Sequence, residues 1–498
     1  MPGVLLQILL TPLVGAALTF LFRRRGGHLV GWIASAALLY TTALVVMVGL
    51  DVAGGAVVAE DYLVIAPDIR FGLLADGLSL PTLAVVLLLC TALTIYSIRY
   101  VEHRVEVLYG DLSREQQTGY YARFFCLVPL FPAGFIGTIL STNLVSVYFF
   151  MEVLTLTLFF LMAFFGYRER VRVAFISLSW GIIGALLFLV AALIVYSQTG
   201  SLEISDIGAM AGTPLVTLTI GLFLISLMMK LAVLPFHVWM PSVHAEHPTC
   251  IAGLLAVYAN LAVYILIRVT VIPLTEDFAA FGTPLMLAAL VTMVYGSLLT
   301  LAQTDIKRLA ACSTISQIAY SVLGLGALTA TGVEGGMFFF LSHVMGKTVF
   351  FSTAGIVVYT TGVRDMREMG GLARKMPITA GLWVAGCMML SGFPPFSSFT
   401  AEWIMFTGIF ERGVASGPLG VAIAVGGLLA ILLTVAYTFG AARQIFFGPL
   451  NPAFEDKPLK DPKWTMTVPL MVVATVSLVM GLYPRVIMDL LHSVIAAN

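Results

Sequence analysis

Fourteen apolar runs, each about the length of a membrane-spanning helix, occupy most of this 498-residue chain. They cover roughly 3–22, 29–50, 78–98, 122–141, 144–166, 173–197, 213–239, 249–272, 283–302, 309–329, 335–361, 376–410, 417–447 and 465–484. Crossing the hydrocarbon core as a helix takes about 20 mostly apolar residues. None of the runs alternates with the period of two that a membrane barrel strand needs. In lipid the backbone must satisfy its own hydrogen bonds, so the runs predict helices. The expectation is an all-α polytopic membrane protein with about 14 transmembrane helices. Composition agrees, since only 10% of residues are charged, against roughly 25% in soluble domains. Lys plus Arg number 26 and so do Asp plus Glu. That balance excludes a basic nucleic-acid binder and a highly charged disordered chain. The first run does not read as a cleavable signal, because Arg23, Arg24 and Arg25 follow it instead of preceding it.

The basic residues are unevenly placed. Twenty of the 26 lie in loops after odd-numbered segments, and Arg70, Arg268, Arg412 and Arg485 are counted to the other side. By the positive-inside rule the odd loops are cytoplasmic. An even number of crossings then leaves both termini outside the cell membrane. Counted this way, cytoplasmic loops carry +8 and outer loops −8. Glu152, Lys230, Lys347 and Glu402 remain inside helices. Each such charge costs roughly 2.5–3.5 kcal/mol at mid-bilayer on insertion scales, and by default marks an ion or proton path.

Glu152 falls in the fifth segment and Lys230 in the seventh. A carboxylate beside a buried lysine can hold its proton or release it. The alternative is a structural ion pair tying two helices. His343 and Lys347 stand four residues apart and share one face of the eleventh helix. Histidine suits a proton shuttle, although a buried histidine can equally be a satisfied core residue. Ser313, Ser316, Gln317 and Tyr320 line part of the tenth segment, as a water chain or as interhelical glue. His237, His244 and His247 surround a short loop, and either give cytoplasmic access to protons or lie at the interface. Asp305-Ile306-Lys307-Arg308 reads as a solvated turn.

Two segments carry breakers beside these charges. Pro235 follows Lys230 by five residues, and Ser391-Gly392-Phe393-Pro394-Pro395 precedes Glu402. Proline frees carbonyls, and freed backbone at membrane depth requires cover from protein or a wet cavity. Broken helices in corresponding places point to inverted repeats. The seventh and twelfth helices are five apart, an odd offset that reverses orientation. The chain therefore divides into helices one to three (1–121), a first repeat of helices four to eight (122–272), a second inverted repeat of helices nine to thirteen (283–447), and a loop with helix fourteen (448–498).

The five cysteines stand singly, with no CxxC or close Cys/His set for a cluster or zinc. No phosphate-binding glycine motif follows a strand. No cofactor or metal is expected in this chain, and the polar stretches are too short for a catalytic domain. By itself it reads as a conduit.

Several blocks resemble one family. They are Phe150-Met151-Glu152; Met229-Lys230, then Phe236-His237-Val238-Trp239-Met240-Pro241 and His244; Pro248-Thr249; Thr304-Asp305-Ile306-Lys307-Arg308-Leu309 with Ser313; and Arg364-Asp365-Met366 with Gly370-Gly371-Leu372. These resemble the Mrp-antiporter-like membrane subunits of respiratory complex I, Mrp sodium/proton antiporters and membrane-bound hydrogenases. The short tail after helix fourteen is similar to the chain M type of complex I or its Mrp antiporter counterpart. The resemblance implies a proton-translocating subunit of a redox-driven complex. Its partners would be other antiporter-like and membrane-anchor subunits, redox-arm subunits and the lipid bilayer, with no nucleic acid. It assigns Glu152 and Lys230 to the coupling pair, His343 and Lys347 to the relay, and Glu402 to the exit. Two positions depart from the family pattern. Asn260 stands where the eighth helix usually has Lys or His, and Gln317 where chain M has His. Neither holds a proton at neutral pH, so Asn260, Ser316 and Gln317 would order water. The other readings are a member of an Mrp-type antiporter driven by ion gradients, and a structural subunit with an impaired channel.

Overall fold

The computed structural model of the protein describes residues 3–25, 27–66 and 69–496. All fourteen runs are helical. Thirteen helical stretches, among them Val4–Leu21, Ser79–Tyr109 and Ala330–Thr361, are long and apolar enough to cross a membrane. The twelfth run is split into Pro377–Leu390 and Ser397–Ala415, neither of them counted among the thirteen. The protein is thus a multi-pass, all-α membrane protein. The terminal residues that would report on sidedness lie outside the described residues.

The helices sort by burial. The eighth (Thr249–Val271) and tenth (Ile306–Ala327) are buried all round and the eleventh nearly so, while the first, second, sixth and thirteenth expose most of their surface. A helix that is apolar all round can sit in a core or against lipid. The outer ring here presents apolar surface outward, and the inner three helices are enclosed by the others. Those three carry Asn260, Gln317, His343 and Lys347.

Both expected breaks are present. Val216–Leu231 ends at Ala232, which is left-handed at φ 52°, before a cis Leu234–Pro235 bond. Pro377–Leu390 is followed by Gly392 at φ 62° and a cis Pro394–Pro395 bond. In each case the left-handed residue precedes the cis proline by three.

Two elements were not expected. Residues 51–77 read as a polar loop, but Val58–Ala66 and Ile69–Ala75 form an antiparallel hairpin with Val58 opposite Ala75. Its Glu60 carboxylate accepts from the backbone N–H of Val4 (3.1 Å) and Leu5 (2.9 Å), two of the donors a helix start leaves unpaired. After the last span a further helix, Arg485–Ile495, buries Ile487 and Leu491. A Cβ at Gly77 would collide with the Leu490 carbonyl, so glycine is what lets this helix lie so close.

The charge bookkeeping needs correction. Asp76, Arg104, Lys307 and Glu334, all counted to loops, are buried. The turn at Asp305–Arg308 is not solvated throughout. Lys307 is fully enclosed, donates to the His247 carbonyl at 2.7 Å and lies 3.5 Å from the Tyr167 ring centre. The loop after the eleventh helix covers it: Arg364 binds Asp305 at 2.8 Å, and Ile306 and Met366 donate backbone bonds to Arg364 and Thr304. Arg268 likewise turns inward and holds Asp76 with two bonds of 2.7 Å each.

Burial pushes the Asp76 carboxyl up, but the Arg268 guanidinium and the Ser79 hydrogen bonds outweigh it and hold it below the usual aspartate range. A depressed carboxyl contributes stability that is present above its unfolded range and is lost as the pH falls through its folded value. Asp76→Asn leaves Arg268 without its counter-ion. Breaking a buried pair in this way costs about 3–5 kcal/mol. The purified protein should show a lower thermal unfolding midpoint at neutral pH, and the gap to wild type should shrink only in strong acid. An unchanged midpoint at neutral pH would contradict the pairing.

Candidate functional site

Lys230 occupies the last turn of Val216–Leu231, where the negative end of the helix dipole favours a cation. The break beyond it frees carbonyls, and the Trp239 indole donates to one of them, that of Met229, at 3.0 Å. The ammonium of Lys230 donates to the Tyr258 hydroxyl (3.2 Å) and sits 4.7 Å from that ring's centre. Tyr258 in turn meets Thr155 at 3.1 Å. Thr155 is three residues from Glu152 on the fifth helix, Leu144–Phe165.

Glu152 does not form the expected direct ion pair. No Lys230–Glu152 contact within 4 Å occurs among the described residues, and Glu152 Oε1 makes no hydrogen bond. The field of Lys230 still reaches its carboxylate. Glu152 is half-buried rather than buried. Tyr258 stands between the two helices in place of a salt bridge.

The central helices hold the next group. Asn260 Nδ2 donates to Ala256 O at 2.7 Å within its own helix, and its Oδ1 lies 3.2 Å from His343 Nδ1. With the amide nitrogen engaged, Oδ1 is the acceptor, so His343 carries a proton on Nδ1. Its Nε2 is buried and makes no hydrogen bond. One turn further, Lys347 is fully enclosed and donates to Ser313 Oγ (2.5 Å) and to the Ala310 carbonyl (3.1 Å).

The tenth helix joins this group to the thirteenth, Pro418–Phe446. Gln317 Nε2 donates to Thr434 (3.0 Å) and Tyr437 (3.2 Å), and Tyr320 meets Thr434 at 3.3 Å. Gln317 Oε1 has no partner. Ser316 bonds Ser297 of the ninth helix at 2.8 Å. These residues therefore do act as interhelical links, whatever else they carry. Glu402 lies beyond, within electrostatic reach of the Tyr320 and Tyr437 hydroxyls. Its carboxylate packs against the break: a Cβ at Gly392 would clash with it. A cavity of about 400 Å³ opens there, lined by Glu402, Gly392, Phe399 and Trp403.

The three histidines around the short loop that follows Pro235 divide. His244 and His247 are fully buried, so they do not lie at a water interface, and neither ring nitrogen of either has a partner. His244 lies within electrostatic reach of Lys347. His237 is half-buried, 4.9 Å from the Tyr295 ring. Among the described residues no group of three or more His, Cys, Asp and Glu side chains could hold a metal ion, and all five cysteines are unbridged.

Sequence reading missed Tyr258, Thr434 and Tyr437. A tyrosine or threonine in an apolar helix carries no local mark of its partner. The only signal was spacing, with Tyr258 two residues before the singled-out Asn260.

Residues 141–434 match the family profile described as NADH:quinone oxidoreductase/Mrp antiporter, TM. Over 395 residues the chain is 29% identical to NADH-quinone oxidoreductase subunit N of Desulforudis audaxviator, with 76% of each chain covered. Its fold matches a chain of the Mrp complex from Dietzia sp. at TM-score 0.86 and 20% identity, covering 99% of this chain and 96% of that one. A chain of respiratory complex I from Thermus thermophilus matches at TM-score 0.84 and 21% identity, with 99% of each covered.

Two substitutions at one site should move stability in opposite directions. Ser313→Ala removes the one side-chain acceptor that Lys347 has among the described residues, and a hydrogen bond to a charged group is worth about 1.5–3 kcal/mol. Lys347→Met removes the buried charge while keeping the volume, which is often neutral or stabilising by about 1–4 kcal/mol. Thermal unfolding of the purified assembly should rank S313A below wild type and K347M at or above it. The reverse order would show that Lys347 is not held as described.

Proposed function

Because the chain belongs to the NADH:quinone oxidoreductase/Mrp antiporter transmembrane family, we propose that it moves protons, or exchanges them for sodium, as one membrane subunit of a larger redox-driven complex. The observation that carries this reading is the row of polar side chains through the buried core, from Lys230 and Tyr258 through Asn260, His343, Lys347 and Ser313 to Gln317, Tyr437 and Glu402. Ionisable groups inside a membrane bundle are costly and mark ion paths. Structural glue alone does not need two lysines, a histidine and a glutamate along one line.

In this reading protons gain cytoplasmic access beside His237, His244 and His247. They pass from Lys230, through water ordered at Asn260, to His343 and Lys347. Ser316 and Gln317 order water toward Glu402, which releases outward. Glu152 acts on Lys230 through space and through Thr155 and Tyr258, and couples it to a neighbouring subunit. Redox-arm and other membrane subunits supply the drive. The matching breaks at Ala232/Pro235 and Gly392/Pro395 support two inverted five-helix repeats over 122–272 and 283–447. Both termini lie outside, as the loop charges require. The likeness to an Mrp complex chain supports a second reading, in which ion gradients alone drive the exchange.

Lys230→Ala in the intact complex should lower proton translocation at least tenfold, read by dye quenching in proteoliposomes, with assembly checked on native gels. Unchanged translocation with intact assembly would remove Lys230 from the path. Redox proteins that co-purify favour the first reading, and their absence with retained sodium/proton exchange favours the second. For sidedness, a reporter fused after Asn498 should be active outside the cell; a cytoplasmic signal would overturn the orientation.

A further inference from the structure

Away from the polar row, on the Arg-rich face, lies a cluster of cations without enough anions. Three converge on the Tyr167 ring: Lys307 Nζ at 3.5 Å, Arg104 Cζ at 4.0 Å and Arg364 Cζ at 5.4 Å from its centre. Two carboxylates are present, Glu246 and Asp305, and Arg364 takes both, at 3.3 and 2.8 Å. Arg104 is buried yet touches no carboxylate. Its Nε and Nη2 donate to the carbonyls of Phe165 (3.1 Å) and Gly166 (2.5 Å). Lys307 has only the His247 carbonyl and the ring. Arg168, next along the chain, is exposed and makes no ion pair among the described residues. Counting Arg168, four cations stand here; Glu106 lies within electrostatic reach of His103 and Tyr359, and Glu102 of Tyr359, but only Glu246 and Asp305 pair with any of the four among the described residues.

A cavity of about 390 Å³ opens onto this cluster. His103, Arg104, Tyr167, Arg168, Tyr359 and Arg364 line it, and no acidic side chain does. Its remaining wall includes Val107, which is exposed toward the outer surface of the third helix. The cavity wall thus combines basic and aromatic side chains with apolar ones, Val107, Leu108 and Val358. It sits where the third helix ends, beside the short link between the fifth and sixth helices and the end of the eleventh. By the charge rule that is the depth of the cytoplasmic headgroups.

Buried charges are normally paired. Carbonyl oxygens and a ring face offer partial negative charge only, and the two carboxylates already share Arg364. Arginine forks match phosphate oxygens geometrically, and tyrosine hydroxyls can add bonds to them. We propose that this cavity binds a phosphate-bearing anion, with Arg104 and Arg168 as the principal contacts and His103 and Tyr359 at its edge. Two sources share that chemistry, the headgroup of an anionic phospholipid and free phosphate. Basic pockets between helices on the cytoplasmic side are suited to the former. The site is independent of what the polar row carries.

The test uses the whole complex in mild detergent, delipidated and then examined by native mass spectrometry. The probes are dioleoyl-phosphatidylglycerol, dioleoyl-phosphatidylcholine and inorganic phosphate, each added separately. Wild type should retain one phosphatidylglycerol that Arg168→Gln binds at least tenfold more weakly and Arg104→Gln loses. Arg172→Gln, in the first turn of the sixth helix and paired with Glu169 at 3.0 Å, serves as control and should behave as wild type. If Arg104→Gln fails to assemble, Arg168→Gln alone carries the test, since that side chain makes no internal bond to lose. Phosphate that binds wild type, displaces no lipid and is lost in Arg168→Gln would also support the site and assign its ligand to the free ion. Equal retention of every probe by wild type and Arg168→Gln would overturn it. So would no retention of either phosphatidylglycerol or inorganic phosphate by wild type, which would leave an acidic side chain of a neighbouring subunit as the counter-ion.

Discussion

Hydrocarbon offers no hydrogen bonds, and the rest of this structure follows from that. Each unpaired backbone group at membrane depth costs several kcal/mol, so the chain crosses as helices. The same rule governs its charges. Lys347 survives full enclosure because Ser313 Oγ and the Ala310 carbonyl both face it from the tenth helix. Those acceptors exist only because the eighth, tenth and eleventh helices are surrounded by the others. The outer helices expose leucine, valine and phenylalanine to lipid and keep lipid away from the polar row. Fold and row are therefore one arrangement: remove the ring and the central lysines have no reason to remain inside.

The two broken helices obey the rule in another way. Ending a helix inside the bundle leaves carbonyls without donors. At the seventh, the Trp239 indole covers Met229, and Lys230 sits in the last turn where those carbonyls gather negative charge. At the twelfth, Ser391 bonds Thr438 at 2.9 Å, and Gly392 supplies the left-handed turn that leaves room for the Glu402 carboxylate. One break thus gathers free carbonyls beside Lys230, and the other leaves room for the Glu402 carboxylate.

What could be read from the sequence was whatever is marked locally. A run of apolar residues declares a helix without reference to anything distant, and thirteen of the fourteen runs coincide with helical stretches long enough to cross a membrane among the described residues. A lysine or glutamate within such a run declares itself equally well. The hairpin at 58–75 was not legible, because its role lies in capping Val4 and Leu5 some 55 residues away in the chain. Lys307 was misread for the same reason. Its neighbours in sequence are charged, but its enclosure comes from the loop at 364–366 folding over it. The partners Tyr258, Thr434 and Tyr437 were invisible because pairing across 28, 117 and 120 residues leaves no pattern in either segment.

Asn260 brings these constraints to bear on one residue. An amide cannot take up a proton at neutral pH, and by type alone it interrupts a relay. Its place in the bundle gives it other work. Its nitrogen is committed to Ala256, which leaves only the oxygen to meet His343. That fixes the proton of a neutral imidazole on Nδ1 and leaves Nε2 with its lone pair, in a buried site with no competing bond. A lysine there would repel the charged form of His343. A leucine would leave Nδ1 without an acceptor and the ring free to turn over. Asparagine does neither, so a residue that carries no charge still sets which nitrogen of His343 faces a partner and which does not.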